Sequence, residues 1–134
     1  HQTNPAEVAA LVGVADRDLA SCRTAGLHTD WQFTIAYNAA LQLATVALAI
    51  RGYKAERGNH HYRVIGTLPY TLRLDDSSVT LFDLFRKKRN ISDYEQAGTL
   101  SERDAQDMRR IAENLRKRLA EWICQEHPAF RDAV

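Results

Sequence analysis

Four consecutive cations, Arg86, Lys87, Lys88 and Arg89, are followed at once by Asn90 and then by Asp93 and Tyr94. Guanidinium groups recognise phosphate through paired donors, ammonium groups add point charge, and an amide or phenol can position an oxygen. These residue types suit the binding of a phosphate-bearing ligand. They grow out of a stretch, Val79, Leu81, Phe82, Leu84 and Phe85, that is apolar at helical spacing. Four adjacent helical residues sweep a full turn, so some of the cations must lie near the core-facing side. Arg86, Asn90 and Asp93 are spaced to share one face, and Arg89 and Asp93 stand at ion-pair spacing. A buried Arg–Asp–Tyr network that fixes the helix is the alternative to a ligand site.

The elements that must hold this stretch follow from caps and periodicity. Asn4-Pro5-Ala6-Glu7 starts a first helix, and Val8, Leu11, Val12, Ala15, Leu19 and Cys22 continue it at three-and-four spacing. It should run over about residues 5–24 and stop at Gly26. Thr29-Asp30-Trp31-Gln32 reads as a second capping box. Phe33, Ile35, Ala36, Ala39, Ala40, Leu43, Ala44, Val46, Ala47 and Ile50 leave the next helix almost no polar face, so it should be buried between others. It should end near Gly52 or fray on to Gly58. Asn59 to Leu68 suggests a short helix that stops before Pro69, and Tyr70–Leu74 an extended connector. Asp75-Asp76-Ser77-Ser78 caps the basic helix, which should stop at Gly98. Ser101 and Asp104 form a capping box for a last helix, with Leu100 as staple. Its apolar positions are Ala105, Met108, Ile111, Ala112, Leu115, Leu119, Trp122 and Ile123, and His127-Pro128 ends it. No convincing strand is present. The expected fold is all-α, an up-and-down bundle of four to five helices forming a single domain over residues 1–134.

Composition narrows the function classes. With 134 residues, 45% hydrophobic and 26% charged, the chain matches an ordinary globular domain. A net charge of +1 gives no global field for nucleic acid, so any such argument is local. Cys22 and Cys124 are far apart in helical patterns and are expected as buried thiols of a reducing cytoplasm. No zinc spacing, secretory signal pattern or Gly-rich phosphate loop is visible, so no metal and no cofactor is expected. The run from Ala39 to Ile50 is too short to span a bilayer. Nucleophile motifs are missing too, and Cys124 near His127 is a weak pair. His60 and His61 would point about 100° apart on a helix and read as one packed and one exposed imidazole. Arg109, Arg110, Arg116, Lys117 and Arg118 interleave with Glu102, Asp107, Glu113 and Glu121 as a salt-bridged outer face.

Two polar signatures in this order resemble the HEPN superfamily, four-helix domains found with minimal nucleotidyltransferases and in many prokaryotic ribonucleases. One is Tyr37-x-x-Ala40-Leu41-x-x-Ala44 followed by Gly52-Tyr53 and His60-His61. The other is Arg86-x-x-Arg89-Asn90 with Tyr94. The resemblance spans roughly residues 5 to 125. It implies an R-x(4–6)-H motif in which the Arg binds the scissile phosphate and the His moves a proton in a metal-independent cut using the RNA 2′-hydroxyl. Two protomers would bring two motifs together across a dimer interface. Arg89 and Asn90 match the first two positions, but Tyr94 stands where the histidine belongs, and no His lies between Gly66 and Trp122. Tyrosine, with a pKa near 10, is a poor general base at neutral pH.

The resemblance therefore implies a cytoplasmic homodimer that has lost catalysis. It would bind RNA, a nucleotide or a nucleotidyltransferase partner, in a toxin–antitoxin-like pair, through Arg86, Lys87, Lys88, Arg89, Asn90 and Tyr94. A metal-independent endoribonuclease using Arg89, Asn90 and Tyr94 is one alternative. A pure protein–protein interaction domain is the other.

Overall fold

The computed structural model describes residues 2–54, 60–94 and 99–134, with residues 91–94 described by their backbone alone. The described residues are all-helical: α1 Pro5–Ser21, α2 Thr29–Ile50, α3 His60–Gly66, α4 Leu68–Thr71, α5 Asp76–Tyr94 and α6 Glu102–Glu126, then a 3-10 turn at Pro128–Ala133.

Most boundaries follow from local chemistry. Asn4 Oδ1 accepts from the Glu7 N–H at 2.9 Å while Asn4 Nδ2 donates to Glu7 Oε1 at 3.1 Å, with Pro5 at the first position. Gly26 takes φ +80 in the following turn, a conformation that only glycine adopts cheaply. The start of α2 differs from expectation. His28, one residue before the expected box, is the cap, and its Nδ1 accepts from the Asp30 N–H at 3.2 Å. The end of α2 is a Schellman turn. Tyr53 N–H donates to Leu48 O and Gly52 N–H to Ala49 O, both at 3.0 Å, with Gly52 at φ +88.

The region after α2 is also more helical than its sequence suggested. Pro69 does not stop a helix but sits in the first turn of α4, where its missing N–H costs nothing. Tyr70 and Thr71 are therefore helical rather than an extended connector. These short pieces raise the helix count to six from the expected four to five. Beyond α4, Arg73 adopts φ 57, and Arg118 of α6 donates to the carbonyls of Leu72 and Arg73 at 3.4 and 3.2 Å. That clamp sets the direction in which α5 leaves. Asp75 then accepts from the Ser78 N–H at 3.1 Å and from both serine hydroxyls, capping α5. These bonds hold its carboxyl down at about 2.

α2 is the core. Phe33, Ala36, Tyr37, Ala39, Ala40, Leu43, Ala44, Val46, Ala47 and Leu48 are all buried. By length and composition α2 could span a bilayer, with mean hydropathy 1.6 in its most apolar window. Here its apolar surface packs chiefly against α6 on one side and α1 on the other. All eight apolar positions read from the α6 period are buried. The capping box at Ser101 and Asp104 is complete, and His127 ends the helix with its ring 4.4 Å from Trp122. Aromatic edges tie α5 to α2, Phe85 against Phe33 at 5.2 Å and Phe82 against Tyr37 at 5.5 Å. Leu84, expected on the apolar face of α5, is exposed. Cys22 is buried, but Cys124 is an exposed thiol, contrary to the expectation for both. The expected stops at Gly58 and Gly98 lie outside the described residues.

Candidate functional site

The basic run on α5 does not act as one patch, because a helix distributes it around its circumference. Arg86 and Arg89, three apart, turn inward toward α2 and α3. Arg86 Nε donates to Asp83 Oδ1 at 2.8 Å, and its guanidinium lies 5.3 Å from the centre of the exposed Tyr62 ring. Arg89 lies over the ring of Tyr37, 4.9 Å from its centre. Lys87 is exposed, 3.7 Å from Asp83. Lys88 turns the other way and donates to Asp104 Oδ2 of α6 at 3.1 Å. Burial works to raise the pKa of Asp104, but the Ser101 N–H and Lys88 outweigh it and hold the carboxyl down. Asn90 is exposed, so it does not share a face with the half-buried Arg86 as its spacing suggested. The side chains of Asp93 and Tyr94 lie outside the described residues.

Tyr37 is the centre of the assembly. Its ring is fully buried beneath Arg89, and its hydroxyl lies 3.1 Å from His61 Nδ1. Burial pushes the Tyr37 phenol up to about 12, against the pull of Arg89 and Arg86, so it stays protonated at neutral pH. Burial also lowers the His61 pKa, and the charges of Arg89, His60 and Arg86 add to that effect. His61 is therefore a neutral imidazole near pH 7, able to take or give a proton once an anion offsets the guanidinium charge. His60 stacks beside it with ring centres 5.6 Å apart, and both imidazoles are half-buried rather than one packed and one exposed.

The structure thus gathers Arg86, Arg89, His60 and His61 around Tyr37 and leaves Lys87, Lys88 and Asn90 outside. His61 and Tyr37 were missed as site residues in the sequence. Neither lies near Arg89 along the chain, and the one signal was a family pattern that includes both Tyr37 and the His60-His61 pair. No group of three or more metal-ligating side chains occurs among the described residues. The chemistry this arrangement supports is recognition of a phosphate or carboxylate by two guanidiniums, with a neutral imidazole at hand.

Compared with known proteins, the chain matches no family model, no curated protein and no solved structure.

Proposed function

We propose that this chain is a HEPN-like helical bundle of the cytoplasm that pairs with a second copy of itself and binds the phosphate backbone of RNA. The observation that carries the reading is the convergence of Arg86 and Arg89 from α5 with His60 and His61 from α3. Guanidiniums held over aromatic faces are pre-oriented, so less freedom is lost when phosphate binds. Pairing through α5 and α6 would double the cluster and make a longer track for a phosphate backbone. A nucleotidyltransferase partner would engage the same face.

The test is fluorescence anisotropy with a labelled single-stranded RNA across a salt series. Binding is expected to weaken steeply with salt. Arg89→Gln and Arg86→Gln should each weaken it and shallow the slope by about one. Unchanged affinity and slope in both variants would overturn the reading. A dimer that persists at high salt and ignores RNA at low salt would favour a pure interaction domain instead.

One observation favours a second reading, a metal-independent endoribonuclease. The imidazole missing beside Arg89 on α5 has a counterpart in His61 of α3, which shares Tyr37 with Arg89. His61 would take the proton from the 2′-hydroxyl while Arg89 holds the phosphate. RNA cleavage that is lost in His61→Asn would support it. RNA left intact over long incubation by the native protein, with Tyr94→His run alongside, would sink it.

A further inference from the structure

α3 has a second side. On the face away from the histidines, its Val64 joins Leu48 of α2 and Thr71 of α4 to floor a cleft of about 410 Å³. All three floor residues are buried, at 9% exposure or less. The Schellman turn at Gly52 folds Tyr53 back beside Leu48, and Tyr70 of α4 also lines the cleft. Both rings are mostly exposed, at 62% and 78%, so their faces meet solvent in the absence of a ligand. The remaining charge is of one sign. Arg51, Lys54 and Arg63 line the cleft, and no described lining residue is acidic. Arg51 donates to the Tyr70 carbonyl at 2.8 Å, which fixes both on the rim. Glu126 lines an adjoining hollow with Arg51 and Arg73 and does not line this cleft.

An apolar floor, two open aromatic rings and three cations match a flat apolar body that carries an anionic group. The hydroxyls narrow the class. Thr67 and Thr71, the threonines of the lining, donate to the carbonyls of Val64 and Thr67 at 2.7 and 3.3 Å. Their protons are committed to the helix backbone, so the wall offers little to the hydroxyl groups of a sugar. We propose that this cleft is a binding site for a small aromatic carboxylate, its ring between the tyrosines and its carboxylate among Arg51, Lys54 and Arg63. This site is separate from the Arg86–Arg89 cluster and does not depend on the RNA reading.

The test is an NMR titration of the folded protein with 2-naphthoate, following the tyrosine ring signals. Its arms are 2-naphthamide, octanoate, acetate and AMP. Saturable one-site binding of 2-naphthoate is expected at about a millimolar or tighter, with every other arm at least about tenfold weaker. Lys54→Gln and Tyr70→Ala both alter exposed side chains, so the fold is retained, and each should weaken 2-naphthoate several-fold. Arg89→Gln should leave it unchanged, whatever that variant does to RNA. No saturation by 2-naphthoate, or equal binding in the two cleft variants, would overturn the proposal. So would naphthamide or acetate binding as tightly, which would remove the need for charge or for the ring. Tighter binding of octanoate or AMP would assign the cleft to a different class of ligand.

Discussion

Tyr37 carries a cation on its face, the edge of Phe82 against its ring and an imidazole at its hydroxyl, all while fully buried. Tyr37→Phe keeps the ring contacts and removes one hydrogen bond, so chemical denaturation should show a loss of about 1 kcal/mol. His61 gives a signed pH effect. Its folded pKa lies below its unfolded value, so the unfolded chain takes up the proton first. The stability it confers is complete above the unfolded value of about 6.5 and is lost as pH falls through the lowered folded value. RNA affinity should move oppositely, rising over the same window as His61 gains charge. Denaturation and anisotropy measured across that window should cross in this way, and His61→Asn should flatten both. Tyr37 acts at the alkaline end, where stability should fall as pH rises above about 10 toward the raised value of about 12. Sequence alone brought out the two arginines, because their types announce themselves. It could not pair them with His61, since that contact depends on how α3 returns across α2.

Among the elements, caps and glycines decide the most. Gly52 holds a left-handed backbone at the end of α2, so Gly52→Ala should cost about 1–2 kcal/mol and displace Tyr53 from the cleft. Thermal melting and the 2-naphthoate titration would read the two effects separately. Ser101→Ala removes one half of a complete capping box and should cost about 1 kcal/mol. The period of α6 was fully legible, since one face of a long helix buries every apolar position it presents. Pro69 misled because proline ends a helix from its interior but fits its first turn. His28 was passed over as a cap because its cap bond comes from a ring nitrogen rather than an oxygen, outside the usual capping residues. The polarity of Arg86 to Arg89 was clear from the sequence. Which of them turned inward was set by the Arg118 clamp, which sequence does not display.

For the whole molecule, α2 decides stability and the site decides binding. Leu115 of α6 is fully buried, and Leu115→Ala should cost about 2–5 kcal/mol in denaturant unfolding. RNA affinity of the protein that remains folded should be unchanged, which separates core from site. The all-helical class and the central place of α2 were both readable, because a helix without a polar face has nowhere to go but inside. The count of helices was not, because α3 and α4 are too short to show a period. There is also a consequence in time. α1 lies just before α2, so the face of α2 that α1 covers can close as soon as both exist. The other face waits for α6, whose last residue comes long after Ile50 in the chain. At about 5–20 residues per second, a ribosome leaves that face bare for on the order of ten seconds. During that interval the nascent chain displays an apolar helix with no cover, and a nascent chain stalled before Glu102 should be held by chaperones or aggregate.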